Sequence, residues 1–399
     1  MTRARWVLVH ILLGAALLRF MKASTEPLDA LEAVEFIPAA MTLSLEHHPI
    51  RVAQHAAVPI YFIRMSAEIF GTSDLGFRML SVIVGTLTIL LLYAVAERWW
   101  GPLAGLTVAV LLAAERYHAE VSAMAIDLVF DLFFVALTIF CFSRFLHGSQ
   151  TSDSVDRRSR WLYGAAVASG VGFLCKELTA LLVPVLFLSL VFTGQSEWLR
   201  RRQSRIALSL FLLTIAPDLY SNLTADQDKR MEFYARQSDT VRQRGLALKD
   251  SYSENGLYMS YADHLSRFRS ISFNSEPFYF YFGEWLDWAG IDHTNHFGEI
   301  PFVDPRVSLT LWVGVALALS RPKKDQAAVF LLTMFFVAFV PFTLVQLGRP
   351  HATFPTDSQA LWYWVDRSML PALLLTGASV SAVLGQLRPV RVVNLTRLV

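Results

Sequence analysis

The sequence predicts an all-α polytopic membrane protein with about ten transmembrane helices and interfacial helices in the first extracytoplasmic loop. Of its 399 residues 54% are hydrophobic and only 17% are charged, and the mean hydropathy is +0.42. Soluble domains usually carry about 25% charged residues. The apolar residues are also gathered in blocks that approach the roughly 20 residues needed to cross a bilayer. Because backbone groups in lipid must pair within their own segment, these blocks are predicted to be helices.

Ten apolar blocks are candidate membrane spans. They cover residues 6–20, 79–96, 103–114, 122–145, 161–175, 178–193, 206–220, 307–320, 326–347 and 369–386. They divide the chain into an N-terminal membrane module (1–220), a large extracytoplasmic loop (221–306) and C-terminal transmembrane helices with a cytoplasmic tail (307–399). Within the module, the loop 21–78 mixes apolar and charged residues at helical spacing, as helices on the membrane surface do.

The orientation follows from the basic residues in short connections. With ten spans, the basic groups fall on one side of the membrane, which the positive-inside rule makes cytoplasmic. They are Arg3, Arg5, Arg157, Arg158, Arg160, Arg200, Arg201, Arg202, Arg205, Arg321, Lys323, Lys324, Arg388, Arg391 and Arg397. We therefore expect both termini in the cytoplasm, a retained first span, and a multi-pass protein of a cell membrane, most simply a bacterial inner membrane.

Several classes of function are disfavoured. A net charge of +2 gives no reason to expect a nucleic-acid partner. The sequence has no phosphate-binding Gly-rich loop, no Gly-x-Ser-x-Gly elbow and no Cys-rich zinc spacing. Cys141 and Cys175 lie inside apolar blocks and are predicted to be core residues, not a disulfide. A transporter would predict inverted repeats and broken helices at mid-membrane, and the sequence shows neither.

Acidic residues in the first loop are candidates for chemistry. Asp29, Glu32 and Glu35 recur every three residues, which on a helix would form one acidic stripe. Such a stripe can supply a general base, or oxygen ligands for a divalent cation such as Mg²⁺ or Mn²⁺. The alternative is an ordinary solvated helix face.

Charged residues also occur at the ends of later spans. An Asp near a helix centre costs roughly 2.5–3.5 kcal/mol on insertion scales, so Asp127 and Asp131 need a reason to lie in span four. They are either the polar wall of an active-site cavity or paired acids near a helix end. Lys176 interrupts the apolar run between spans five and six. It is either part of a simple turn or a cation placed to meet a phosphate.

A series of short motifs completes the pattern. His55 is followed by Pro59, then by Phe70-Gly71-Thr72-Ser73 and Arg78. Further motifs are Ser122 to Asp127, Gly172 to Lys176, and Asp366-Arg367-Ser368-Met369-Leu370-Pro371. In their order and spacing, these motifs resemble the polyprenyl-phosphate-sugar-dependent membrane glycosyltransferases of the type C fold. This superfamily includes the protein O-mannosyltransferases and the lipid A aminoarabinose transferases.

One motif departs from the family pattern. The resemblance implies an acidic pair in the first loop, normally Asp-Glu in succession. The matching position here reads Leu31-Glu32, so only Glu32 carries over directly, and Asp29 or Glu35 would replace the missing Asp. This departure leaves a second hypothesis open, in which the chain is a catalytically inactive, glycosyltransferase-like membrane scaffold or assembly subunit.

The resemblance implies an inverting transfer of a hexosyl or pentosyl group from a polyprenyl-phosphate donor. The acceptor is a hydroxyl on a lipid, glycan or protein at the extracytoplasmic face. Glu32 is then the expected base, with Asp29 as its rival, and both are candidate ligands of a divalent cation. The expected substrate-binding residues are Lys176, Arg78, Arg367, His55 and Asp127.

The aromatic-rich stretch 273–302 either covers the cavity and stacks on sugar rings or anchors the loop at the membrane surface. Expected partners are the polyprenyl-phosphate-linked sugar, its acceptor, membrane lipids and other membrane proteins.

Overall fold

The computed structural model describes residues 3–29, 32–42, 51–52, 55–150, 154–224, 305–320, 325–344 and 358–386, and these residues are almost entirely helical. In chain order the elements are α1 (Arg3–Thr25), a π-helical turn (Glu32–Phe36), α2 (Ile37–Thr42), β1 (Arg51–Val52), β2 (His55–Ala56), α3 (Ala57–Phe70), α4 (Asp74–Trp100), α5 (Pro102–Ala114), α6 (Arg116–Val121), α7 (Asp127–Gln150), α8 (Val155–Cys175), a 3₁₀ turn (Glu177–Leu181), α9 (Leu182–Phe192), α10 (Glu197–Arg200), α11 (Arg202–Thr224), α12 (Pro305–Leu319), α13 (Gln326–Leu344) and α14 (Ser358–Gln386).

Each of the ten predicted spans coincides with a helix over most of its length, which confirms the polytopic all-α membrane fold. Among the residues described, three helices are long and apolar enough to cross a membrane on their own: Arg3–Thr25, Asp74–Trp100 and Asp127–Ser149. Shorter apolar helical stretches cover Pro102–Ala114, Thr179–Phe192, Thr310–Leu319, Gln326–Val337 and Leu370–Leu384. Strands β1 and β2 form a two-residue antiparallel hairpin that contacts α8 and α11.

Local sequence signals explain where α4 begins and ends. Ser73 is its N-cap, and the Ser73 hydroxyl accepts a hydrogen bond from the backbone N–H of Gly76 at 3.1 Å. Gly101, at φ 89°, ends α4 in a conformation that favours glycine. Pro102 then opens α5, where a missing N–H costs nothing. The tight turn places α4 and α5 side by side.

The start of span four differs from the prediction. The apolar pattern predicts a span over 122–145, whereas α7 begins only at Asp127. Residues 122–126 form a turn, in which the first N–H groups bond back to α6 and that of Ala125 bonds to a distant side chain. Ser122 N donates to His118 O at 3.1 Å, and Ala125 N donates to a Glu32 side-chain oxygen at 2.7 Å.

The C-terminal helices pack directly on the N-terminal module. A Cβ atom placed on Gly377 of α14 would lie 2.5 Å from Val108 of α5, so only glycine allows this approach. Ser381 Oγ donates to Trp100 O at 2.9 Å. The predicted loop 221–306 lies outside the described residues except for its first four and last two positions, and the domain division stays a prediction.

Candidate active site

A buried ion pair between Arg78 and Glu32 is the centre of the candidate site. Arg78 Nε donates to Glu32 Oε1 at 2.7 Å, and Arg78 Nη2 donates to Glu32 Oε2 at 2.5 Å. Arg78 Nη1 donates to the carbonyls of Ala23 (3.0 Å) and Glu26 (2.8 Å), and Nη2 also donates to Pro27 O (2.9 Å). A guanidinium has five N–H donors, so Arg78 has none left for another partner.

The Glu32 carboxylate is equally saturated. Besides its two bonds from Arg78, it accepts from the backbone N–H of Asp29 at 2.9 Å and of Ala125 at 2.7 Å. A carboxylate offers about four acceptor positions, and all four are filled here. The side chains of Arg78 and Glu32 are 2% and 0% exposed. We call this pair and its backbone partners the clasp, because it joins the end of α1, helix α4 and the turn before α7.

A second ion pair lies beside the clasp. Lys176 Nζ, just after the end of α8, lies 2.9 Å from Asp127 Oδ2 at the start of α7. Their side chains are 12% and 6% exposed. Asp127 follows Ala125 by two residues, and two residues of chain span at most about 7 Å. The two ion pairs are therefore close neighbours. The helix N-terminus also favours the negative charge of Asp127.

Asp131 lies one turn further along α7 and faces the 3₁₀ turn that follows α8. Thr179 Oγ1 donates to Asp131 Oδ1, and both residues are fully buried. The close approach depends on Gly172, since a Cβ atom there would lie 2.7 Å from the Thr179 methyl group. Asp131 is therefore one of the paired acids that the sequence allowed.

The other predicted residues are less closely defined. Asp29 is half-buried and next to Glu32, which its backbone N–H binds. The backbone of His55 lies in β2 and that of Arg367 lies in α14, but both side chains are outside the described part of the structure. No group of three or more His, Cys, Asp or Glu side chains that could hold a metal occurs among the residues described.

Sequence reasoning missed a buried polar cluster beside α6. Arg19 of α1 is fully buried, donates to Ala15 O at 3.0 Å, and its Nη2 lies 2.8 Å from His118 Nδ1. The Glu115 carboxylate caps α6 by accepting from the N–H groups of Tyr117 (3.0 Å) and His118 (2.6 Å). Two features of the sequence pointed to this cluster: Arg19 is a charged residue inside span one, and Glu115 to His118 form a polar run after span three.

Burial dominates the ionisation of this cluster. It raises the pKa of Glu115 to about 7, although the hydrogen bonds from His118 and Tyr117 and the charge of Arg19 oppose the rise. Burial, with help from the Arg19 charge, lowers the pKa of His118 well below its usual value. His118 therefore stays neutral near pH 7 and accepts the hydrogen bond from Arg19.

Surface charges at this end of the bundle are also paired. Lys22 contacts Glu120 and lies 2.8 Å from Glu26, and Arg116 lies 3.3 Å from Glu120. The Lys22 contact fixes the end of α1 against α6.

Comparisons with known proteins agree with this architecture. Residues 54–220 match the family model of dolichyl-phosphate-mannose-protein mannosyltransferases. The fold is similar to the crystal structure of ArnT from Cupriavidus metallidurans bound to undecaprenyl phosphate, with a TM-score of 0.61 and 17% identity over 95% of this chain and 60% of that one. No curated protein matches the sequence.

Archaeal oligosaccharyltransferases are similar in fold as well. AglB from Archaeoglobus fulgidus, in complex with an inhibitory peptide and a dolichol-phosphate, has a TM-score of 0.51 and 12% identity, over 96% of this chain and 50% of that one. A complex of the oligosaccharyltransferase from the same organism with Zn and sulfate has a TM-score of 0.54 and 12% identity, over 96% and 49%.

These likenesses define the class of protein. The chain is a multi-pass membrane protein with the fold of the type C glycosyltransferases. With the match to the mannosyltransferase family model, they confirm the resemblance to the polyprenyl-phosphate-sugar-dependent superfamily that the sequence predicted. The chain spans about 60% of the length of the ArnT structure that it matches.

Proposed function

We propose that this protein is a membrane glycosyltransferase that moves a sugar from a polyprenyl phosphate to an acceptor hydroxyl at the extracytoplasmic face. One observation carries the proposal: Glu32 of the first loop pairs with Arg78 of α4, and beside them Asp127 of α7 pairs with Lys176 after α8. The matched structures hold undecaprenyl phosphate and dolichol-phosphate, which supports a lipid-phosphate donor here.

Lys176 is the cation best suited to the donor phosphate. Its ammonium is 12% exposed, so an incoming phosphate oxygen can reach it beside Asp127. Arg78 is only 2% exposed and all five of its donors are used. We therefore assign Lys176 to the phosphate and Arg78 to the clasp. Arg367 and His55 remain candidates for further substrate contacts.

Asp29 is a better candidate for the base than Glu32. The four acceptor positions of Glu32 are filled by hydrogen bonds from Arg78, Asp29 and Ala125, so neither of its oxygens is open to an acceptor hydroxyl. Asp29 is half-buried and held in place by its backbone bond to Glu32. In this assignment Glu32 positions the loop and Asp29 takes the acceptor proton.

The proposed transfer is a single displacement. The acceptor oxygen attacks the anomeric carbon while its proton passes to the Asp29 carboxylate. The bond between the anomeric carbon and the phosphate oxygen breaks, and the electron pair leaves with the polyprenyl phosphate, whose charge Lys176 stabilises. Inversion at the anomeric carbon follows from one in-line step. The sugar is a hexose or pentose, and the acceptor belongs to a lipid, a glycan or a protein.

A divalent cation does not fit the described acids well. A Mg²⁺ or Mn²⁺ ion between Asp29, Glu32 and the phosphate would neutralise charge on the leaving group. Glu32 could join it only by giving up hydrogen bonds of the clasp. The proposed transfer therefore needs no metal.

Binding of the lipid carrier tests the phosphate assignment. Purified protein in nanodiscs is titrated with undecaprenyl phosphate and the complex is counted by native mass spectrometry. Losing one charge-assisted hydrogen bond costs about 1.5–3 kcal/mol, so Lys176→Gln should weaken binding about tenfold to a hundredfold. Arg64→Gln, which removes a cation from an exposed pair with Glu68, is the matched control and should leave binding unchanged. Equal binding by Lys176→Gln and the wild type would refute the assignment.

A turnover assay distinguishes an enzyme from an inactive membrane scaffold. The scaffold is the second candidate function, because all four acceptor positions of Glu32 are filled. A panel of polyprenyl-phosphate hexoses and pentoses is incubated with the protein and membrane extract, and released polyprenyl phosphate is quantified by mass spectrometry. An enzyme releases it from at least one donor, and Asp29→Asn abolishes the release while carrier binding persists. Carrier binding without release from any donor would support the scaffold.

A further inference from the structure

The two ends of the helical bundle differ in how many of their positive charges are paired with carboxylates. At the end that carries the candidate site, five cations have a carboxylate partner: Lys22, Arg64, Arg78, Arg116 and Lys176 pair with Glu26 or Glu120, Glu68, Glu32, Glu120 and Asp127. Arg19 is fully buried there and contacts His118 instead. The opposite end lacks this balance. Residues 154–160 and 196–205 there contain seven arginines and two acidic residues, a net charge of +5. We call these two segments the arginine end.

Four side chains of the arginine end are exposed and have no ion-pair partner within the residues described. They are Arg160 on α8, Arg200 on α10, and Arg202 and Arg205 on α11. Helices α8 and α11 pack against each other, so the four arginines lie at the same end of the bundle. Charges of one sign at one end repel each other, and anions from outside stabilise them.

The arginine end is rigid because buried aromatic rings hold it. Trp198 is fully buried, with the guanidinium carbon of Arg158 4.5 Å and that of Arg201 4.7 Å from its ring centroid. Arg158 also lies 4.8 Å from the Phe145 ring centroid and donates to Gln195 Oε1 at 2.7 Å. A fixed framework presents its exposed charges without further ordering cost when an anion binds.

The position of the arginines along the helices identifies the anion. Arg160 directly precedes the apolar segment 161–175 of α8, and Arg205 precedes the apolar segment 206–220 of α11. Each helix rises about 1.5 Å per residue, so these side chains lie at the depth where lipid headgroups begin. Clusters of four to eight Lys or Arg next to a membrane helix bind anionic lipids, with about 1 kcal/mol for each side chain.

We propose that the arginine end is a binding site for the headgroups of anionic phospholipids in the leaflet that it faces. The four exposed arginines bind the headgroup phosphates, while Arg158 and Arg201 are held by Trp198. The site is separate from the candidate active site, because the clasp and the Lys176 pair lie at the other end of these helices. It anchors the start of α8 and α11 at a fixed depth.

Lipid selectivity tests this proposal. Protein in nanodiscs of equal parts phosphatidylglycerol and phosphatidylcholine is extracted, and the lipids that stay bound are counted by native mass spectrometry. The wild type should retain phosphatidylglycerol in preference, and the preference should fall with added salt. Replacing Arg160, Arg200, Arg202 and Arg205 together by Gln should remove it, with about a fivefold loss of affinity for each arginine.

Two controls separate charge from folding. Replacing the same four arginines by Lys keeps the charge and should retain most of the preference, whereas Arg64→Gln removes a cation at the other end and should not alter it. If the fourfold Gln variant unfolds, the two double variants, Arg160/Arg200→Gln and Arg202/Arg205→Gln, should each lose part of the preference. Equal retention of both lipids by the wild type, or unchanged preference in the Gln variants, would overturn the proposal.

Discussion

The clasp makes a sharp prediction about Glu32. In Glu32→Gln the buried guanidinium of Arg78 loses its counter-charge, and the amide N–H₂ group of the new side chain faces donors where an acceptor is required. Breaking a buried ion pair by removing one partner costs about 3–5 kcal/mol. The lost hydrogen bonds are those at 2.7 and 2.5 Å from Arg78 and those from the N–H groups of Asp29 and Ala125. We therefore expect this variant to be strongly destabilised.

The assay compares two pairs of the same chemistry. Unfolding of the purified protein in detergent is followed by circular dichroism during heating and during titration with a denaturing detergent. Glu68→Gln removes the acid from the exposed pair with Arg64, where the N–O distance is 2.8 Å and the side chains are 62% and 33% exposed. Exposed pairs contribute about 0–1 kcal/mol, so this control should be nearly neutral. Equal stability of the two variants would refute the structural role of the clasp.

The double variant adds a test of mechanism. Replacing Glu32 by Gln and Arg78 by Met removes the stranded charge together with its partner, so the loss of stability should be smaller than for Glu32→Gln alone. If Glu32 were instead the catalytic base, Glu32→Gln would lose activity without losing stability. That result would reverse the assignment of Glu32 and Asp29.

Three further predictions concern packing, ionisation and the cysteines. Gly85→Ala should destabilise by about 1–3 kcal/mol, because its Cβ would lie 2.5 Å from Ser122 Cβ; Ser122→Gly should restore stability, and Gly14→Ala, with no atom within 4 Å, should be neutral. Glu115 binds its proton more tightly when folded, with a pKa of about 7 against about 4.5 unfolded, so its contribution to stability should decrease as pH rises from about 4.5 to about 7. His118 has the opposite trend, since its pKa is lowered in the folded state. Comparing the pH profiles of unfolding for Glu115→Gln and the wild type therefore isolates the contribution of Glu115 to stability. Parallel profiles would contradict the raised pKa of Glu115. The two buried free cysteines should react with maleimide only after denaturation, and modification of either in the folded protein would show that its burial is wrong.

The sequence predicts the helices of this protein better than their contacts. Apolar blocks are a property of consecutive residues, so all ten predicted spans coincide with helices over most of their length. The N-terminal limit of α7 was misplaced because Ala125 gives its N–H to Glu32, a residue 93 positions earlier in the chain. A hydrophobicity pattern over about twenty consecutive residues, the length of one span, cannot reveal a contact between residues so far apart in the chain.

The same limit applies to the candidate site. Composition and family resemblance identified Glu32, Arg78, Asp127 and Lys176 as residues of interest. They could not show which acid pairs with which cation, because the partners are 46 and 49 positions apart and meet only when α1, α4, α7 and α8 pack. Arg19 was missed because, from the sequence, an Arg at the end of an apolar block is expected to point outward to water, whereas α6 covers it here.

The charge arrangement of the bundle links the two proposals. At the site end, carboxylates of the chain already neutralise the cations, so a phosphate that arrives there must share Lys176 with Asp127. Such a site releases its product more readily than one with unpaired cations, since the lysine regains Asp127 when the carrier leaves. At the arginine end Arg160, Arg200, Arg202 and Arg205 have no ion-pair partner within the residues described, and they suit ligands that stay bound, as structural lipids do. The distribution of carboxylates, more than that of basic residues, therefore distinguishes the proposed site of turnover from the proposed site of anchoring.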